Sequence, residues 1–225
     1  MLFRSPQDMR WKEFYIHIAN LDYYRRNNIL PKLDITGIDE KEVRDTYVNQ
    51  YPELFRELIN IYAFNGDVFK VNILHQITGE LPDFIMLLGS AQKGNLEMVQ
   101  WFTEHNIKHP DAFAHAAQDG RITVMDYLSE LNQNQDYELA AEYASQRENL
   151  PALLWLEKRN IYPLPQDYDN AIGSLNYDII NFGLRTQTLT QIRRDTLDSI
   201  LQFKTLEEIN KLFKLLFSHG VEIVE

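Results

Sequence analysis

A short phrase occurs twice in the middle of this chain. It reads LLGSAQKGNLEMVQWFTEHN over residues 87–106 and FAHAAQDGRITVMDYLSELN over residues 113–132. Each copy joins a helix of small residues to a second helix with an apolar stripe, through a turn at Gly94 or Gly120. A hairpin of this size cannot bury its own apolar face, so the units must stack on one another. The repeat therefore predicts an all-α fold made of stacked helical hairpins.

The phase of the repeat continues on both sides of the two clear copies. The interval from Gly66 to Gly94 is close to that from Gly94 to Gly120, and Asn149 follows Asn95 by two such intervals. The phrase that surrounds Asn149, ASQRENLPALLWLEKRN, has the same plan as the first copy. The stack is therefore predicted to extend well beyond the duplicated stretch.

Two regions are predicted along the chain. Residues 51–225 hold about five or six hairpins, of which the units over 166–190 and 191–223 are the weakest copies. An amphipathic helix over 206–217 is expected to close the far end of the row. Residues 1–50 contain two further helical patterns and are predicted to form a helical N-terminal cap, because the first repeat would otherwise expose the face that its neighbours bury.

The tryptophans follow the same repeat. Trp101 and Trp155 are two repeat intervals apart, at equivalent positions of the second helix of a unit. They are predicted to fill matching slots between stacked units. Trp11 belongs to the apolar face of the first N-terminal helix and is predicted to pack there.

Several segments together carry a family resemblance. They are AQKGNLEMVQWF, AAQDGRITVMDYL, ENLPALLWLEKRNI and LLFSHGVEI. With two small residues, a Gly turn, an amphipathic second helix and a Gly exit, the chain resembles the ankyrin-repeat family from about Leu54 to Ile223. The resemblance implies an ankyrin-like helical-hairpin solenoid.

The chain also departs from the family pattern. Ankyrin repeats have a period of about 33 residues and a TPLH start, whereas the spacing here is about 26 to 28 residues and no TPLH occurs. The missing residues are expected to come from the β-hairpin finger, so almost no strand is predicted. Tetratricopeptide repeats are the structural alternative, but their period of about 34 residues and Trp-Leu-Gly-Tyr pattern are absent.

Composition limits the class of partner. The formal net charge is −11, which disfavours nucleic acid and anionic membrane surfaces and favours a basic protein partner. The chain has no cysteine, so it can form no disulfide, and this suits a reducing cytosol. The first residues lack the apolar core of a secretion signal, and no apolar run approaches the length of a membrane span. We therefore expect a cytoplasmic protein that is monomeric when unbound.

The sequence contains no pattern typical of a catalytic or metal-binding site. The histidines His105, His109 and His115 lie near Asp111, but their spacing matches no zinc-ligand motif. The many carboxylates are better explained as helix caps and a solvated surface. No nucleophile elbow, metalloprotease helix or phosphate-binding glycine loop is present. The sequence therefore predicts no enzyme, no metal and no cofactor.

The residues that the repeat plan leaves at the surface are the candidates for partner contact. The resemblance implies that the concave face and the tips between repeats bind a partner through side chains of successive units. When the binding positions of the family are transferred to the equivalent positions of this chain, they predict two groups of contact residues. The residues just before each turn are Gln92, Lys93, Gln118, Asp119, Gln146 and Arg147, and the tip residues are His105, His109, Asn134, Tyr137, Tyr162 and Tyr168.

The resemblance implies a non-enzymatic protein–protein interaction module. Chains with degraded ankyrin-like repeats are common in intracellular bacteria and in large DNA viruses of amoebae, so it also suggests a secreted effector or regulator acting in a host cytosol. A narrower hypothesis is an acidic inhibitor or regulator of another effector enzyme. Two alternatives stay open: an enzyme with an unfamiliar site where residues 1–50 meet the first repeats, and a structural subunit of an assembly.

Overall fold

The computed structural model describes residues 52–131 and 135–225. The predicted cap over residues 1–50, with Trp11, and the tip residue Asn134 lie outside the described residues. The elements, in chain order, are α1 (Pro52–Asn65), α2 (Val68–Thr78), α3 (Phe84–Lys93), α4 (Leu96–Glu104), α5 (Ala112–Gln118), α6 (Ile122–Glu130), α7 (Tyr137–Gln146), α8 (Leu150–Glu157), a 3₁₀ turn (Pro165–Tyr168), α9 (Asp169–Ser174), α10 (Tyr177–Arg185), β1 (Gln191–Arg193), α11 (Arg194–Phe203), α12 (Leu206–Ser218) and β2 (Glu222–Val224).

The described helices are arranged in two rows, and the all-α prediction is confirmed. The odd-numbered helices α1 to α11 pack one on the next, and they form the first row. The even-numbered helices α2 to α10 contact one another in the same order and form the second row. One continuous apolar core runs between the rows. Each pair of helices therefore buries its apolar stripe against its neighbours, as the small size of the units requires.

Each turn glycine joins the two helices of one unit and lies against a side chain of the next unit. Gly66, Gly94 and Gly120 all adopt the left-handed conformation, with φ of 75°, 81° and 65°. A Cβ added at Gly66 would lie 1.7 Å from Nδ2 of Asn95, and one added at Gly120 would lie 2.4 Å from Oδ1 of Asn149. Glycine is therefore required both by the backbone and by the side chain of the following unit.

The residue after each turn usually caps the second helix. A side-chain oxygen at this position accepts a hydrogen bond from the backbone N–H three residues later, which satisfies a group that the helix leaves unpaired. Arg121 is the exception, because it has no acceptor; its Nε instead donates to the carbonyl of Gln92 at 2.9 Å. The capping pairs are Asp67 with Lys70, Asn95 with Met98, Asn149 with Ala152, and Asn176 with Ile179.

Two later turns use residues other than glycine. Glu148 and Leu175 occupy the turn position of their units with φ of 57° and 64°. The carboxylate of Glu148 accepts hydrogen bonds from Ser174 at 2.6 Å and from Asn176 at 2.7 Å. These bonds hold the next unit in place and help to offset the strain of a non-glycine residue at Glu148.

The repeat-equivalent tryptophans are buried, as predicted. Trp101 is 3% exposed and Trp155 is 6% exposed. Each indole N–H donates to a side chain of the preceding second helix, Trp101 to Asn72 at 2.9 Å and Trp155 to Asp126 at 2.6 Å. The two rings therefore fill matching slots between consecutive second helices.

The last unit differs from the expected closing element. Helix α12 forms where the sequence predicts it, and β1 pairs with β2 in parallel, which ties the chain after α12 to the start of α11. The end face is nevertheless apolar, because Leu201 is 54% exposed and Phe203 and Leu206 are each 74% exposed. Of these three residues only Leu206 belongs to α12, so the closing role of this helix stays a prediction.

Candidate partner-binding surface

The residues before the turns form a row along one edge of the stack, which we call the pre-turn row. It comprises the six residues predicted from the repeat plan, at the ends of α3, α5 and α7. The amide of Gln92 donates to Oε1 of Gln118 at 3.3 Å, so the structure brings these two side chains together. Gln146 donates instead to Glu142 of its own helix at 2.8 Å.

The charged members of the pre-turn row differ in how they are held. Asp119 and Arg147 are exposed. Lys93 is exposed too, but its Nζ lies 3.2 Å from the centroid of the Phe64 ring and donates to the Phe64 carbonyl at 2.8 Å. Partial burial lowers the pKa of Lys93. Lys93 is thus fixed on its own chain, whereas Asp119 and Arg147 project to solvent.

A second contact lies one helical turn before the row and was not predicted from the sequence. The rings of His115 and Tyr143 meet edge to face, with centroids 5.7 Å apart. Nδ1 of His115 is buried and has no hydrogen-bond partner among the described residues. The interval from His115 to Tyr143 equals that from Gln118 to Gln146. That shared spacing is the signal that could have identified Tyr143.

The tips between the units expose aromatic and apolar side chains. His109 lies flat on the ring of Phe84, with centroids 5.1 Å apart and planes within 4°, and Phe84 is 49% exposed. Tyr137 occupies the same tip position one repeat after His109, and Leu164, which is 59% exposed, follows one repeat later. We call Phe84, His109, Pro110, Tyr137 and Leu164 the tip surface.

A cleft of about 450 Å³ lies in the tip surface between two units. Tyr137 forms one wall, and its ring is held from behind by the buried ring of Phe113, with centroids 5.0 Å apart. Within the described residues no hydrogen bond engages the Tyr137 hydroxyl. The lining residues are Pro110, Gln135, Asp136, Tyr137 and Glu138.

Two predicted tip residues contact their own chain extensively. His105 stacks on Trp101 at 3.8 Å, meets His75 at 5.0 Å, and its Nδ1 lies 2.7 Å from the Trp101 carbonyl. Arg159 covers Trp155 in the same way in a later unit, at 3.4 Å. Partner binding by His105 stays a prediction, and the same holds for Tyr162, which is half-buried against the core.

Tyr168 is not available to a partner, and the prediction that it is a tip contact is wrong. Its side chain is fully buried, and its hydroxyl lies 2.6 Å from Oγ1 of Thr188. The ring packs on Gly183, where an added Cβ would come within 2.7 Å. The physical reason is position: Tyr168 lies at the start of a first-row helix, two repeat intervals after the buried Phe113, and not at the end of a tip.

Burial of Tyr168 predicts a loss of stability at high pH. Burial raises the pKa of Tyr168 to about 12, whereas an unfolded tyrosine titrates near pH 10. The folded chain holds this proton more tightly, so the stabilisation is complete below about pH 10 and is lost as the pH rises towards 12, by about 1.4 kcal/mol per pH unit. Urea unfolding followed by circular dichroism between these pH values measures it. Tyr168→Phe should show a flatter pH dependence, and equal slopes would contradict this role.

Two carboxyl groups also have shifted pKa values, Asp167 beside the tip residue Leu164 and Glu157 in α8. Burial raises the pKa of Asp167, against the lowering effect of the Leu164 backbone N–H, which donates to its carboxylate. Hydrogen bonding to Arg185 lowers the pKa of Glu157. Burial and hydrogen bonds to residues of the same or the next unit account for both pKa shifts. Within residues 52–131 and 135–225, no three His, Cys, Asp or Glu side chains are grouped to hold a metal ion.

The negative charge is concentrated in the middle units. Residues 97–142 carry nine acidic and two basic residues, which accounts for −7 of the net charge of −11. The lysine and arginine ion pairs seen among the described residues, such as Arg185 with Glu157 and Arg193 with Asp169, lie outside this segment. The cleft beside Tyr137 lies within it.

No helix in the described part of the chain combines the length and apolar character that crossing a bilayer requires.

Comparison with known proteins gives no match: no family model, no curated protein and no solved structure is similar to this chain.

Proposed function

We propose that this protein is a non-enzymatic interaction module, an ankyrin-like solenoid that binds a partner protein through side chains of successive units. The stacking of short helix pairs supports the proposal, as do the turn glycines and the asparagine caps. The short period and the absence of a TPLH start distinguish it from regular ankyrin repeats.

The observation that carries the proposal is that equivalent positions on consecutive units are exposed or half-exposed to solvent. Gln92, Gln118 and Gln146 line one edge, and His109, Tyr137 and Leu164 occupy one position of three tips. A stack that presents side chains in register can contact one partner at several points, with most of the energy in a few aromatic anchors.

The concentration of charge favours a second version of this function. With −7 on residues 97–142, the middle units suit a partner with a basic surface, because opposite charges speed association and select the partner. This protein would then be an acidic inhibitor or regulator of another protein, such as an effector enzyme. We place its action in a cytoplasm, which for a secreted effector would be that of a host.

The test is affinity capture with a matched pair of quadruple variants. One removes polar side chains of the pre-turn row, Gln118→Ala, Asp119→Ala, Gln146→Ala and Arg147→Ala. The control removes the same four residue types elsewhere, Gln100→Ala, Asp178→Ala, Gln202→Ala and Arg194→Ala. Neither set changes the net charge, and circular dichroism checks that both fold.

We expect the control to retain a captured protein that the pre-turn variant loses by about tenfold or more, as for an interface that contains several contacts. Mass spectrometry of the captured material gives the ratio. Undiminished capture by the pre-turn variant rejects the row as the binding surface. If Tyr137→Leu also leaves capture unchanged, neither the pre-turn row nor the tip surface binds the partner.

A further inference from the structure

We infer that the tip surface takes a basic segment of a partner protein, with an arginine or lysine side chain laid against the ring of Tyr137. This inference rests on the proposed function and specifies the chemistry of one surface. Five observations on the described residues bear on it. They are the cleft beside Tyr137, the fixed position of the Tyr137 ring, its hydroxyl without a hydrogen bond to any of these residues, the acidic residues of the tips, and the contacts of cations with aromatic rings in other units.

The cleft is formed in advance. Tyr137 lies at the first position of α7, where Phe113 packs edge-on against its ring. The N-cap residue Asp136 accepts from Leu139 N–H at 2.9 Å and fixes the start of the helix. A ring held in this way loses little conformational freedom when a partner binds.

The charge around the cleft is mostly negative. The tips over 80–84, 107–112, 135–138 and 161–167 contain six acidic residues, and Lys108 is their one basic residue. Asp136 and Glu138 line the cleft itself. A cation that enters between them and the tyrosine ring meets both carboxylates and the negative face of the π-system.

Cations of this chain already cover other aromatic rings. Arg159 lies 3.4 Å from the ring of Trp155, and Lys211 lies 4.3 Å from that of Tyr177. Lys93 on Phe64, Lys70 on Tyr62 and Arg185 on Phe182 make the same kind of contact. In the described part of the chain no lysine or arginine does so for Tyr137. This ring has the acidic surroundings that attract a cation, but none of the described residues supplies one.

Arginine fits the site better than lysine. Its planar guanidinium stacks on a ring and can donate to two carboxylates at once, whereas an ammonium group is a compact and strongly hydrated charge. Phe84 and Leu164, exposed on the neighbouring tips, would contact apolar residues beside the cation. The expected segment is therefore basic with aliphatic or aromatic residues interspersed.

The experiment selects short peptides from a random displayed library against the full chain at low ionic strength. Arginine-rich peptides should be enriched over lysine-rich ones, and acidic peptides should be depleted. Their affinity is then measured by fluorescence anisotropy at low and high salt, where screening should weaken binding. Enrichment of purely apolar or acidic peptides, or of none, would overturn the inference.

Three variants locate the bound peptide. Tyr137→Leu keeps apolar area but removes the π-face, and should weaken binding by about fivefold. Asp136→Asn with Glu138→Gln keeps the helix cap and should weaken binding by about five- to tenfold at low salt. Glu207→Gln with Glu222→Gln removes the same charge far along the chain and should change affinity less than about twofold. Basic peptides that bind all three variants equally would overturn the inference.

The outcomes separate this inference from the proposed function. If the pre-turn variant loses its captured partner while the tip variants retain it and bind no basic peptide, the protein is an interaction module but the tip surface is not its basic-segment site. If light scattering shows that the chain self-associates and the charge variant abolishes this, the occupant is a second copy, and the inference is wrong.

Discussion

Replacing Phe113 with alanine is expected to lower the free energy of unfolding by about 3–5 kcal/mol, the range measured for buried aromatic-to-alanine changes. Phe113 is fully buried. Its ring lies 5.0 Å from Tyr137 and 5.4 Å from Trp155 by centroid distance. The ring therefore joins α5 to both helices of the following pair, and its removal leaves a cavity between two units rather than within one.

The matched control is Phe84→Ala. Phe84 is also an aromatic residue on a first-row helix, but it is 49% exposed, so we expect a loss of less than about 1 kcal/mol. Urea unfolding monitored by tryptophan fluorescence and by circular dichroism gives both values. Similar losses for the two variants would mean that the stacking described for Phe113 does not stabilise the protein.

The Phe113 result would also affect the tip surface, because Phe113 supports Tyr137 from behind. If the Phe113→Ala variant stays folded at room temperature without denaturant, the Tyr137 side chain should still lie at the surface, but in a less fixed orientation. The contact between Phe113 and Tyr137 therefore links the packing of the core to the orientation of a candidate binding residue. A binding experiment on any core variant needs a check of folding.

Much of the fold follows from local signals in the sequence. The glycines at 66, 94 and 120 indicate left-handed turns because other residues are strained there, and Asp67 and Asn95, which follow the first two, indicate helix caps. The spacing of Trp101 and Trp155, two repeat intervals, locates two equivalent slots. These signals depend on neighbouring residues or on exact repetition, and one sequence is sufficient to detect them.

Other features depend on contacts that no local signal encodes. Glu148 and Leu175 adopt the turn conformation without glycine, and at Glu148 bonds from the next unit compensate. The parallel pairing of β1 with β2 joins segments on either side of α11 and α12. Tyr168 resembles a tip residue by its place after a proline-rich link, and only its alignment with Phe113 indicates that it is buried.

The candidate binding surface was also predicted only in part from the sequence. The pre-turn row was predicted from the repeat phase, and the structure adds the direct contact between Gln92 and Gln118. The pairing of Phe84 with His109 was missed, because Phe84 begins a helix whose apolar residues all suit a core. Exposure of a particular ring depends on which unit covers it, and the periodicity of one helix does not specify that.

Replacing Gly120 with alanine is the second substitution with a large expected effect, a loss of about 2–3 kcal/mol, which combines a backbone cost with a lost helix cap. A non-glycine residue in the left-handed conformation costs about 1–2 kcal/mol. The added Cβ also meets Asn149, whose Oδ1 would be 2.4 Å away, and displacing that side chain removes the cap of α8, worth about 1 kcal/mol. The substitution therefore acts on the contact between two units as well as on one turn.

Gly220→Ala separates the two contributions. Gly220 has φ of 75°, and its N–H and that of Val221 donate to the carbonyls of Phe217 and Leu216, the same pattern that Gly120 and Arg121 make with Ala117 and Ala116. No atom lies within 4 Å of a Cβ added at Gly220, so we expect only the backbone cost of about 1–2 kcal/mol. Chemical denaturation of both variants measures the difference. A larger loss at Gly120 means that this glycine also makes room for Asn149 of the next unit, whereas equal losses would show that the contact with Asn149 adds no cost.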